Sequence, residues 1–280
     1  MGEIEERLSL VRQQMADTDI QALFVPTTDE YLGEYVPEQN QRLRWISGFS
    51  GSAGLLIILR DKAAIFVDGR YTIQAKQQVS CHLYQHYHLT QTPPIDWLIE
   101  NLHKGRVGID SRLHSFNWYR TINSQCDASG LSVIEIANNP IDENWTNRPC
   151  PQKEVITLLD EKYTGLHSED KRKLIGGNIK QKGAEVALIT QLDSIAWLLN
   201  IRGKDIPRLP VILSTATLTA DGDMILFTDQ KKIPDNFFEH VGNNVTVKSE
   251  EEVTSTLSSF SKLKVLGLSL IHISEPTRPY

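Results

Sequence analysis

The sequence predicts an α/β protein of two domains, each a mixed β-sheet flanked by helices, and three observations carry that reading. Short apolar runs with strand character alternate with helical stretches along the chain. Two of the runs, 55–59 and 63–67, lie close enough together to form a hairpin, so antiparallel pairing is mixed with helical crossovers. The order helix, strand, helix, hairpin then returns after a proline-bearing stretch at 138–152.

Taken in order, residues 5–15 place Leu8, Leu10, Val11 and Met15 in helical spacing, and Ala22–Val25 reads as a strand ended by Pro26. Thr27-Thr28-Asp29 restarts the chain as a turn or helix cap, and 39–45 looks helical. The glycine-dense SGFSGSAG at 47–54 cannot continue that helix, and the hairpin follows it. After Asp68-Gly69-Arg70-Tyr71 come a polar helix to Gln78 and strands at 81–88, 107–109 and 131–136. Helices are expected at 96–102 and 115–126. Pro140, Pro149 and Pro151 make 138–152 the expected linker. Beyond it, a helix at 168–182, a strand at 186–189, a helix within TQLDSIAWLLNIRG at 190–203 and strands at 211–218 and 224–227 repeat the plan. Thr190 and Asp193 have the spacing of a capping box, and Arg202-Gly203 is the expected stop of that helix. Ala22 aligns with Ala187, Trp45 with Trp197 and Phe66 with Phe227, so the reading is a duplicated unit with loops of different length.

Composition narrows the function. The 280 residues are 40% apolar and 23% charged, as in a globular protein with real cores. A net charge of −6 offers no basic stripe, so no nucleic acid is expected as a partner. No apolar run approaches the ~20 residues of a membrane span, and the acidic MGEIEERLSLVRQQM reads as neither a secretory signal nor a myristoylation site. Three cysteines, Cys81, Cys126 and Cys150, are few, odd in number and in no close pair, as in a reducing compartment, so no membrane partner and a cytoplasmic location are the expectation.

Candidate sites are few. SGFSGSAG could cradle an anion but matches no phosphate-binding loop or nucleophile elbow, and a tight helix-to-strand connection explains its glycines. His82, His86 and His88 share one face of a strand, but the rise separates His82 from His86 by ~13 Å, too far for two ligands of one ion, and His86 with His88 alone would leave an ion short of ligands, so a solvated edge strand is expected. Asp68 with Arg70 reads as a tie between a strand end and the next helix, and Asp193 and Arg202 as scaffold. None of the cysteines has a histidine partner that would make it a nucleophile. No catalytic, cofactor-binding or metal-binding residue is therefore assigned.

Five motifs in order nevertheless carry a resemblance: SGFSGSAG, VDGRY at 67–71, WTNRP at 145–149, YTG at 163–165 with Asp170-Lys171, and LDSIAWLLNIRGKDIP at 192–207. Together they resemble the N-terminal part of three-domain Xaa-Pro aminopeptidases (aminopeptidase P), of the creatinase and aminopeptidase P branch of metallopeptidases. Leu209 departs from the pattern, where the family usually has Asn before Pro. The resemblance implies two creatinase-like N-terminal domains, 1–137 and 153–268, joined by the linker 138–152. It also implies an enzyme that removes the residue preceding proline at a peptide N-terminus, in a third, pita-bread domain with two divalent metal ions, usually Mn²⁺. That catalytic domain is expected to be absent here, so no cofactor is expected on this portion. Proline-containing peptides would be substrates of the full-length parent, and the two domains would shape access and can add homodimer contacts. SLIHISEPTRPY at 269–280 resembles nothing in the family and is expected to be a foreign tail, with His272 and Glu275 no ligands. A second domain cut at 268 would carry an open edge. The alternative reading is a stand-alone creatinase-like pair that binds peptides or proteins without hydrolysing them.

Overall fold

The structure, a computed structural model, describes residues 2–268, so the expected foreign tail at 269–280 lies outside the described residues. The chain divides between Cys150 and Pro151 into two compact units.

In the first unit the strands are β1 (Ala22–Pro26), β2 (Gly54–Leu59), β3 (Ala63–Val67), β4 (Gln85–His88), β5 (Gly105–Ile109) and β6 (Leu131–Glu135). The helices are α1 (Glu3–Asp17), α2 (Arg42–Ser47), α3 (Thr72–Gln78), α4 (Pro94–Asn101), α5 (Phe116–Ala128) and α6 (Pro140–Asn144). The sheet runs β4-β3-β2-β1-β5-β6, antiparallel through β3, β2 and β1 and parallel at both flanks. β1 to β3 are nearly unbroken apolar runs because both faces are covered. Leu23, Val25, Leu56, Ile58, Ile65 and Val67 face one core with Leu8, Val11 and Met15 of α1 and Ile46 of α2. Their neighbours Ala22, Phe24, Ile57, Leu59, Ala64 and Phe66 face a second core with Trp97 and Leu98 of α4 and Ile122 and Cys126 of α5. The period-two alternation of a strand thus divides one apolar sequence between two helical layers.

Two expectations change here. The strand expected over 81–88 is half as long, because Leu83 and Tyr84 both donate to the Ser80 carbonyl in a turn. That turn buries Tyr84, whose hydroxyl donates to the Ile46 carbonyl at 2.5 Å. Much of the proline-bearing linker stretch is body: Asn139 caps α6 through the Ile141 N–H, and Ile141 is fully buried. Asp142 of that helix accepts from Arg42 Nε at 2.7 Å, while Glu30 accepts from Arg42 Nη2 at 2.6 Å. Burial alone would depress the guanidinium, but the hydrogen bonds to Asp142 and Glu30 outweigh it and hold it further into its charged form.

The second unit comprises β7 (Thr157–Leu158), α7 (Glu161–Thr164), α8 (Ser168–Gln181), β8 (Val186–Ile189), α9 (Leu192–Leu199), β9 (Ile201–Arg202), β10 (Thr215–Thr219), β11 (Met224–Phe227), α10 (Phe237–Val241), β12 (Val245–Lys248), α11 (Val253–Ser259) and β13 (Val265–Leu268). Its main sheet, β12-β11-β10-β8-β13, repeats β4-β3-β2-β1-β5 with the same sense of pairing at every step. β6 has no counterpart among the described residues, and β13 is an edge strand there. The strand expected from 211 begins only at Thr215. Upstream, the Leu213 N–H is taken at 2.6 Å by Asp205, a buried carboxylate that also pairs with Lys232 at 2.7 Å. The loop that contains Leu209 is therefore closed by side chains and by a short Ile206–Leu209 bridge.

Two predictions arise from this framework. Arg42→Ala should cost about 3 kcal/mol in urea unfolding followed by tryptophan fluorescence, since it strands two half-sheltered carboxylates. Arg42→Lys should recover only part of that, because an ammonium lacks the fork; a loss below about 1 kcal/mol would class the pairs with surface bridges. His114 stacks on Trp118 with ring centroids 3.8 Å apart, its Nε2 is buried without a partner, and burial pushes its pKa down to about 4. The fold thus favours the neutral ring, so this contribution is complete above the ordinary value of 6.5 and is lost as pH falls toward 4. Between pH 7.5 and 5 the wild type should lose about 2 kcal/mol more than His114→Phe, which keeps a stacked ring. Parallel pH profiles of the two proteins would refute it.

Candidate functional site

The motif residues gather at two places. In the first unit they build packing. Phe49 of SGFSGSAG meets Tyr71 of VDGRY edge-on at 5.8 Å, and the Tyr71 hydroxyl bonds Ser52 at 2.8 Å. Gly51 is required there, since a Cβ would overlap the Phe49 ring and stand 2.8 Å from Tyr71. Trp145 of WTNRP stacks on Trp45 at 5.8 Å, and Arg148 donates to the Gln39 carbonyl at 2.6 Å. SGFSGSAG is thus the α2-to-β2 connection, with Ser50 bonded to Gln78. Arg70 pairs with Asp68 at 2.6 Å and its own N–H is taken by the same carboxylate, the strand-to-helix tie expected.

In the second unit the motifs converge on a cavity of about 170 Å³. Lys171, Trp197, Asn200 and Arg202 line it, together with Leu159, Tyr163 and Thr164. The helix of TQLDSIAWLLNIRG runs Leu192–Leu199, the span of its apolar stripe Leu192, Ile195, Ala196 and Leu199. The expected capping box does not form: the N-cap is Gln191, and Asp193 accepts from the N–H of the adjacent Ser194 at 2.8 Å. Nor does the helix stop at Arg202-Gly203. Asn200 ends it in the left-handed conformation, φ 54° and ψ 44°, which asparagine tolerates better than most residues. The chain then turns straight into β9, which pairs with β7.

That turn organises the cavity. Asn200 donates from Nδ2 to the Leu166 carbonyl at 2.8 Å and accepts at Oδ1 from Lys171 Nζ at 2.6 Å. The same ammonium donates to the Trp197 carbonyl at 3.2 Å and lies 4.6 Å from the centre of the Trp197 ring. Arg202 uses Nη1 on the carbonyls of Ile201, at 2.7 Å, and Ala196, at 3.4 Å. Lys171 is 2% exposed, yet neither it nor Arg202 has an ion pair with any described carboxylate. Burial, and then the Arg202 charge, push the Lys171 pKa below its ordinary value. The arrangement can hold negative charge beside an aromatic face.

Lys171 and Asn200 enter the sequence reading only as members of motifs, with no role assigned, although a signal for Lys171 exists. The buried positions of α8 are Ser168, Lys171, Arg172, Gly176 and Ile179, an inward stripe of helical period that carries two cations. Arg202 was read as scaffold, and the structure sets it on the cavity wall. Trp45 and Trp197, aligned as equivalents, differ in setting: Trp45 is in the core and Trp197 is 44% exposed.

The remaining candidates stay apart. His82 lies in a turn, while His86 and His88 lie on the edge strand β4, with His86 half-buried. Among the described residues no three His, Cys, Asp or Glu side chains come together as metal ligands. The three cysteines are free, and burial raises the Cys126 thiol to about 11, far from a reactive thiolate. The described residues therefore do not supply the ligand set of a dinuclear centre.

Comparison with known proteins fits this architecture. Two family models, each for the creatinase/prolidase N-terminal domain, match residues 7–140 and 147–276. An Xaa-Pro aminopeptidase of Drosophila melanogaster is 35% identical over 277 residues, spanning 97% of this chain and 45% of that protein. One from Caenorhabditis elegans is 34% identical over 87% of this chain and 40% of its own length. The crystal structure of X-prolyl aminopeptidase from C. elegans, a cytosolic enzyme with a di-nuclear active site, superposes with a TM-score of 0.87 at 30% identity, covering 92% of this chain and 44% of that one. The chain thus spans less than half the length of the relatives it matches. With two consecutive matches and one sheet plan used twice, the chain belongs to the creatinase/prolidase N-terminal domain family, as a pair of such domains like those of Xaa-Pro aminopeptidases.

Proposed function

We propose that this chain is the N-terminal, non-catalytic part of a metal-dependent Xaa-Pro aminopeptidase, and that it does not hydrolyse peptides by itself. The observation that carries the reading is the collinear similarity over nearly the whole chain to less than half of each relative. In the full-length parent two divalent ions, Mn²⁺ by family habit, would supply the nucleophile, and no step of that reaction is assigned to residues described here. The pair would shape access of proline-containing peptides to that domain and contribute to subunit contacts. A cytoplasmic location is proposed with it: the C. elegans protein is a cytosolic enzyme, and no described helix is long and apolar enough to cross a membrane.

Two measurements check this. The purified chain, supplied with Mn²⁺, should show no release of the N-terminal residue from an Xaa-Pro peptide, and turnover abolished by a chelator would overturn the proposal. Sequencing through the 3′ end of the gene should replace the codons of 269–280 with those of a further domain. A stop codon at the same place, with saturable peptide binding, would instead favour a stand-alone binding pair.

A further inference from the structure

The cavity at the end of α9 gathers positive charge that the described protein leaves without an anion. Lys171 is buried, and two of its three ammonium hydrogens go to neutral oxygens, the Trp197 carbonyl and the Asn200 side chain. Arg202 spends Nη1 on two backbone carbonyls, leaving Nε and Nη2 without a described acceptor. The other buried cations of this unit stand away from the cavity: Lys232 pairs with Asp205 at 2.7 Å, and Arg172 donates to the carbonyls of Gly222, Val241 and Asn243 at 2.7 to 2.9 Å, with its Nε buried without a described partner. No acidic residue lines the cavity. Holding an ammonium away from water with neutral partners alone is costly, and an entering anion would remove much of that cost.

Size and surroundings limit the anion. A volume near 170 Å³ equals about five or six waters at ~30 Å³ each, and it falls below the ~300 Å³ at which drug-sized ligand pockets begin. A whole nucleotide exceeds that volume, whereas a carboxylate on a short stem lies within it. Exposed apolar surface belongs to the same elements: Tyr163 is 76% exposed, Leu166 46% and Trp197 44%. A bare inorganic ion would leave that surface unused, but a chain attached to the carboxylate would cover it.

We propose that this cavity is a binding site for a single carboxylate presented by a polypeptide, either a C-terminal α-carboxylate or an acidic side chain. Lys171 and Arg202 hold the charge, and Tyr163 and Trp197 take the adjoining apolar part. The proposal is independent of whether the chain belongs to a functional aminopeptidase.

The test is calorimetric titration of the full chain with N-acetyl-leucine and with N-acetyl-glutamic acid α-amide. Their neutral counterparts N-acetyl-leucinamide and N-acetyl-glutaminamide, and inorganic phosphate, serve as controls. At least one carboxylate should bind saturably with a Kd on the order of 1 mM, and its amide about tenfold or more weaker, as for loss of one charge-assisted contact. Which acid binds identifies the source. Arg202→Gln, whose lost bonds in the free protein go only to backbone carbonyls, should weaken binding about tenfold while leaving the circular dichroism unchanged. Lys171→Met should weaken it at least as much if it folds, and Arg202→Gln decides if it does not. Binding should also change the tryptophan emission, and Trp197→Phe should remove that change. Failure of both acids to bind, equal binding of acid and amide, tighter binding of phosphate, or an unchanged affinity in Arg202→Gln would each overturn the proposal.

Discussion

The left-handed turn at Asn200 is the constraint on which the second unit's distinctive part depends. A helix must give up its last carbonyls somewhere, and here one residue ends α9 and collects its surroundings. Its side chain spans Lys171 of α8 and the Leu166 carbonyl, while its own carbonyl accepts from Leu159 N–H at 2.9 Å and meets His240 Nε2 of α10 at 3.0 Å. Four segments distant in sequence are thus fastened to one amide side chain and one peptide group. Glycine could adopt the same backbone angles but would supply none of the side-chain bonds.

Gly203 shows how tightly the chain is held just after that turn. A Cβ there would overlap the Ile212 side chain and stand 2.8 Å from the Val211 carbonyl. The segment 211–214 consequently runs against 203–205 and is fastened by Asp205 instead of joining the sheet. A run that is apolar enough for a strand is diverted by a buried carboxylate and a close backbone approach.

Three buried cations illustrate three ways of meeting the cost of desolvation. Arg42 has two carboxylates, one on each side of its fork, and is held in its charged form. Arg172 has backbone carbonyls at the 220–223 turn and around the end of α10, so it acts as a clasp on loops whose oxygens would otherwise lack donors. Lys171 has two neutral oxygens and an aromatic face, and no counter-charge. The first two are closed pieces of architecture apart from the buried, unpartnered Arg172 Nε, and the third lies on a cavity wall where an anion can reach it.

Much of the fold was legible from local patterns. The runs 22–25, 55–59, 63–67, 186–189 and 224–227 fell close to observed strands because two-sided burial demands continuous apolar residues, and the repeated order of elements revealed the duplication that the two sheets share. Motif order likewise sufficed to recognise the family. What required the tertiary structure were features settled by partners far along the chain. Residues 138–150 belong to the first body because Ile141 and Asp142 find α1, α2 and Arg42 there, and Tyr84 leaves the strand pattern to reach a carbonyl 38 residues away. The cavity is of the same kind. Tyr163, Lys171, Trp197 and Arg202 are ordinary surface or scaffold residues by their neighbours in sequence. They become a charged, aromatic-walled recess only because the turn at Asn200 draws α7, α8 and α9 together, and hydrogen bonds between distant segments leave no periodic trace in a sequence.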